Sequence, residues 1–189
     1  MAGEIQLNAT SFASESSGTI TVNNGTISSA VVFPAGHIIQ VVPPLISVET
    51  NTLTTSYVNY YEAPITLKSS SSNVLILHQT NYFSVNGGIG QKIYRSNSTP
   101  VTDSDTVVFD KVPADSSGPM AYFGGTSGGV SGTGEIHAMD IISGTSAGTT
   151  LYYGFFYKAR STGSNYAEVP SGESVQNGHF STVLIEIQK

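Results

Sequence analysis

Two stretches, Gly125-Thr126-Ser127-Gly128-Gly129 and Gly144-Thr145-Ser146-Ala147-Gly148, carry the G-x-S-x-G spacing in which a serine on a sharp strand-to-helix turn becomes an exposed nucleophile. That chemistry needs a helix after the serine and an acid and a histidine beyond it. No helical periodicity follows either stretch, so the sequence predicts a β-turn at Ser146. The four histidines, His37, His78, His137 and His179, have no second ligand at a spacing of the H-x-x-x-H kind and are expected to be strand residues with hydrogen-bonded rings. Asp103-Ser104-Asp105 looks like half of an oxygen-ligand loop but lacks the glycine and distal glutamate that complete one, and it is expected to be a turn before Thr106. Gly87-Gly88-Ile89-Gly90-Gln91-Lys92 lacks the Gly-Lys-Ser/Thr of a phosphate cradle and, following Asn86, reads as a hairpin turn. Glu62, Glu135, Asp140 and Glu168 are too scattered to nominate the paired carboxylates of a glycan hydrolase. The expectation is a chain that is not an enzyme and holds no cofactor or metal.

Composition narrows the classes further. There is no cysteine, which removes thiol nucleophiles and thiolate metal sites together. Seven Lys plus Arg against thirteen Asp plus Glu leave a net charge of -6, which argues against nucleic acid, because phosphate binding depends on clustered cations. Charged residues are only 11% of the chain while hydrophobic residues reach 39%, so the surface must be built from Ser, Thr, Asn and Gly around an adequate core. Neither a basic-then-apolar leader nor a run of membrane-span length is present, and a soluble chain made in a cytoplasm is expected.

The elements that must position any site are strands. Short β-branched and aromatic runs alternate with Gly, Ser, Asn and Pro clusters and no 3.6-residue period is sustained, which predicts an all-β antiparallel sandwich. The run Thr149 to Arg160 is the most informative. Leu151, Tyr153, Phe155 and Tyr157 point one way and Tyr152 and Phe156 the other, so one core cannot cover both sets, and a neighbouring subunit is expected on the second face. His37 to Val42 and Thr182 to Ile187 are also apolar on both faces. Ile65-Thr66-Leu67-Lys68 alternates cleanly and belongs to a sheet with a wet outer side. Asn23-Asn24-Gly25 predicts a hairpin between Ile20 to Val22 and Thr26 to Ser28. Residues 1 to 36 have too few bulky apolar residues to fold alone and read as an attachment arm, with Ile5, Leu7, Phe12, Ile20, Val22 and Ile27 as its candidate contacts. Gly124 to Gly134 reads as an exposed loop, with Thr126, Ser127 and Val130 as candidate recognition residues.

From Gly36-His37-Ile38-Ile39-Gln40-Val41-Val42 through Tyr57-Val58 and Ile65 to Leu77 to the closing Thr182 to Ile187, the chain resembles a domain of tailed-phage virion proteins. Such domains are similar to jelly rolls of the tumour-necrosis-factor and C1q kind. The resemblance covers about residues 36 to 189 and implies a jelly roll, over residues 37 to 189, that associates as a homotrimer through its first, last and aromatic strands. Ile38, Gln40, Val42, Tyr152, Phe156 and Leu184 are then the candidate trimer-interface residues. It further implies a virion protein whose partner is the major capsid protein or another virion protein. Capsid decoration is favoured because no repeat or heptad shaft separates arm from head. The rival expectation is a receptor-binding tip of a tail fibre or baseplate that recognises a host surface glycan. Neither reading involves nucleic acid or insertion into a membrane.

Overall fold

A computed structural model of the chain describes residues 4–7, 10–16, 19–22, 35–47, 51–85, 89–110, 129–159, 167–169 and 180–189. The chain divides into two units, Met1–Val32 and Phe33–Lys189. The break lies a few residues before the expected one after Gly36, because Gly36 and His37 already belong to the second unit: Gly36 N–H donates to the Gln188 carbonyl (2.8 Å) and Gln188 N–H to the His37 carbonyl (2.9 Å).

The first unit is an antiparallel meander of β1 (Glu4–Leu7), β2 (Thr10–Ser16) and β3 (Thr19–Val22). Ile5, Leu7, Phe12, Ile20 and Val22 lie on these strands, with Ile5 opposite Ala13 and Val22 also opposite Ala13. Ile27 and the Asn23-Asn24-Gly25 hairpin lie outside the described residues.

The second unit is an antiparallel β-sandwich. One sheet runs β4 (Ile38–Ser47), β13 (Phe180–Gln188), β7 (Ser72–Val85) and β10 (Gly129–Asp140), and the short β12 (Ala167–Val169) and β5 (Asn51–Thr52) extend it beside the far end of β7. The other runs β6 (Val58–Thr66), β11 (Thr150–Ala159), β8 (Ile89–Ser96) and β9 (Thr106–Asp110). Prolines that divide two of the expected runs sit within strands. Pro43 and Pro44 fall in β4 and Pro64 in β6, and each of these strands pairs on one side only, where a missing N–H leaves no ladder bond broken. β7 and β8 belong to different sheets, so the connection through Asn86 to Gly88 joins the two sheets and is not the expected hairpin.

The core forms between the sheets from alternating positions. Leu151, Tyr153, Phe155 and Tyr157 of β11 face Val74 and Ile76 of β7 and Leu184 and Phe180 of β13, and all eight are buried. As expected, Ile65 and Leu67 are buried while Thr66 and Lys68 are exposed. Arg95 of β8 ties the sheets together: one guanidinium nitrogen reaches both oxygens of Asp140 of β10 (2.9 and 2.8 Å), and Tyr153 donates its hydroxyl to the same carboxylate (2.7 Å). Burial, and after it the Asp140 carboxylate, raise the Tyr153 phenol above its usual range, so it stays a donor.

The second face of β11 is covered by the chain itself. Phe156 is buried with Tyr94 and Val101, its ring meeting Tyr94 edge-on at 4.8 Å, and Tyr57 and Tyr152 pack around them. Val101 lies on the segment between β8 and β9, which Glu62 holds down by accepting from Val101 N–H (2.7 Å) and the Thr99 hydroxyl (2.7 Å). A neighbouring subunit is therefore not what covers this face, contrary to the expectation from its aromatic pattern. Gly154 makes the close approach workable, since a Cβ there would lie 2.8 Å from Val101 Cβ and 2.9 Å from Phe156 Cε2. Gly154→Ala is accordingly expected to destabilise the fold by about 1–3 kcal/mol through overpacking against a pinned segment. A urea titration checks this, and an unchanged midpoint would show that the segment gives way.

Candidate functional site

The residues first suspected of chemistry are occupied structurally. Ser146 sits in a turn closed by Thr149 N–H donating to the Ser146 carbonyl (3.2 Å), with Gly144 and Gly148 at positive φ on either side, and no helix follows. Asp105 accepts from the backbone N–H (2.8 Å) and hydroxyl (2.9 Å) of Thr102, which hold its carboxyl below the usual range and make the segment a turn. Glu186 is fully buried and accepts from Lys68 N–H, Ser69 N–H, the Ser72 hydroxyl (2.8 Å) and the Gln40 amide (2.5 Å), anchoring the corner between β6 and β7. Asp140 and Glu62 are committed as described above. Among the described residues no three of His, Asp and Glu form a group able to hold a metal ion, and no helix is long and apolar enough to cross a membrane. His37 and His137 are exposed, His179 lies outside the described residues, and His78 is deep in the core.

What stands out is the outer face of the β4-β13-β7-β10 sheet. The cross-strand register lays out its rows. Val41, Ile185, Leu75 and Met139 form one unbroken aliphatic row across all four strands. Ile38 and Ile187 pair in a row toward one end, and Val183, Leu77 and His137 form a row toward the other, followed by Ile46, Ser181, Gln79 and Glu135. Adjacent strands lie about 4.8 Å apart, so these side chains make one continuous surface. It is not covered by the described residues: Ile38 is 54% exposed, Val41 53%, Ile46 64%, Met139 46% and Ile141 72%. Contiguous exposed apolar surface is uncommon on soluble proteins, which makes this face the chain's candidate contact surface. Among the described residues its charged or titratable side chains are Glu135 and His137, both near the polar end.

The candidate interface residues divide between the two sides of this sheet and the other sheet. Ile38 is on the open face. Leu184 is fully buried in the subunit's own core and Val42 packs against that core, so neither has a surface to present. Gln40 also points inward, donating to Glu186 and to the Thr66 carbonyl (2.7 Å). Phe156 and Tyr152 belong to the internally covered cluster on the opposite sheet. The side chains that the open face does present on β7, β10 and β13, Leu75, Leu77, Met139, Val183, Ile185 and Ile187, alternate with buried positions of the same strands. Their signal was the apolar character of both faces of β4 and β13, but that pattern does not say which parity faces inward. Of the loop candidates, Thr126 and Ser127 lie outside the described residues. Val130 is on β10 opposite Ser84, because residues 129 to 134 extend the strand along β7 and are not an exposed loop. A long partner strand supplies the ladder that a glycine-rich stretch cannot nucleate alone.

Comparison of the chain with protein-family models matches none of them, and comparison with curated proteins finds no similar sequence.

Proposed function

We propose that this chain is a structural component of a phage particle, a homotrimer that decorates the capsid and is attached by its N-terminal unit. The observation that carries the reading is the open aliphatic face of the β4-β13-β7-β10 sheet. Its central rows are free of charge, so copies of a chain with net charge -6 can meet there without opposing like charges. Strand order also supports it. Counting the eight main sandwich strands from β4, the sheets run 1-8-3-6 and 2-7-4-5, which is the pairing of a jelly roll and agrees with the resemblance to trimeric domains.

The separate β-meander at residues 4 to 22 supports an anchoring role, since a three-stranded piece this small gains stability by docking on a larger partner. A trimer bridging neighbouring capsomers binds only the assembled shell and by linkage raises the temperature at which it opens. Particles assembled without the protein are expected to form and then release genome at lower temperature in a dye-access melt. Particles equally heat-resistant but unable to adsorb to host cells would overturn the decoration reading in favour of a receptor-binding tip.

A further inference from the structure

We propose that Glu135 and His137, at the polar end of the open sheet face, are the half-site of a divalent transition-metal ion that neighbouring copies complete. The inference rests on the homotrimer reading. The two residues are alternate positions of β10, so both side chains project from the same face, with His137 Nε2 4.0 Å from Glu135 Oε2. They border a depression of about 210 Å³ that crosses β13, β7 and β10 and is floored by Leu77 and Val183. Gln79 donates to Glu135 Oε1 (3.2 Å), leaving the other carboxylate oxygen toward the imidazole.

Both side chains are more than half exposed in the single chain, and closing the face on other copies removes them from water. A buried carboxylate with no opposite charge and one long amide hydrogen bond costs several kcal/mol, and 4.0 Å is too long for a hydrogen bond from the ring. Cyclic association also multiplies the carboxylates: three copies bring three Glu135 into one assembly whose contact surface is otherwise uncharged among the described residues. A cation held by carboxylate oxygen and neutral imidazole nitrogen removes that cost, and this donor pair suits zinc, cobalt or nickel. One chain cannot supply the site alone, since among the described residues no group of three ligands exists. With the three-fold axis passing this end of the face, as the proposal requires, three chains supply three imidazoles and three carboxylates. Gln79 would then act as the outer partner that orients the carboxylate, a role that typically changes metal affinity by about 10- to 100-fold.

The test uses the full chain without an affinity tag, stripped with EDTA and dialysed against cobalt(II), with bound metal measured by mass spectrometry alongside sedimentation. The expected result is a trimer holding one cobalt for every three chains, with cobalt reduced about tenfold or more in both Glu135→Gln and His137→Ala. Both positions are exposed in the single chain, so circular dichroism should show either variant folded. A trimer that binds no cobalt, or that binds it undiminished in both variants, would overturn the site and leave the trimer standing. A monomer with and without cobalt would overturn the homotrimer reading and the shared site with it.

Discussion

Ile185→Asp is expected to leave the sandwich folded while abolishing its self-association. Ile185 sits in the middle of the aliphatic row Val41, Ile185, Leu75 and Met139, on the side of β13 facing away from the core. In a single chain Ile185 is partly exposed, so an aspartate there keeps access to water and the fold loses less than the assembly. In the assembly it is a buried unpaired charge, worth about 3–5 kcal/mol per subunit, which weakens association by about 100-fold or more at each contact. Phe156→Asp makes the informative contrast. Phe156 is wedged between Tyr94 and Val101 inside its own subunit, so the change should lower the melting temperature of the subunit itself, on a loss of about 3–5 kcal/mol. Sedimentation and thermal melting of the two variants check this. The assignment of the interface fails if Ile185→Asp remains assembled and Phe156→Asp dissociates without loss of fold.

The second large effect is a loss of stability in acid that originates at His78. Its ring lies fully buried at 4.0 Å from the Phe155 ring and nearly parallel to it, with Nδ1 2.7 Å from the Thr182 hydroxyl and Nε2 against the Tyr157 hydroxyl. The sandwich interior offers no carboxylate to the ring among these contacts, and burial pushes its pKa down from 6.5 to about 3. Protonation then favours the unfolded chain. The stability associated with the neutral ring is complete above pH 6.5 and declines as pH falls toward 3, by about 1.4 kcal/mol per pH unit. The measurement is urea unfolding of the Ile185→Asp monomer between pH 7 and pH 4.5, with and without His78→Gln. The His78 protein should lose stability with the steeper slope. Equal slopes would mean that the ring is protonated in the folded state.

Much of the fold was legible because alternation is a local property. The aromatic run at 149 to 160 identified both the core residues Leu151, Tyr153, Phe155 and Tyr157 and the separate set Tyr152 and Phe156, as observed. What covers the second set was not legible. The cover is Val101, more than fifty residues away in sequence, held by hydrogen bonds to Glu62 that no spacing announces. The prolines at 43, 44 and 64 read as breaks because their tolerance depends on whether a strand has one neighbour or two, which is a property of the sheet. The open face was half legible for a related reason. β4 and β13 are apolar on both faces, so the sequence signals apolar surface on each side without assigning parity. The register between them also shifts at Thr182/Leu184 and Glu186/Ile187, so an even-odd count cannot be carried along β4, although β13 alternates without interruption. Of the six candidates, Ile38 lies on the open face.

Copies of this chain are proposed to meet at the open β4-β13-β7-β10 face. Sedimentation equilibrium of the untagged full-length protein at micromolar concentration tests it most directly. A single species with three times the 19.8 kDa chain mass, persisting on dilution, is expected. A species of one chain mass across the whole concentration range would contradict it.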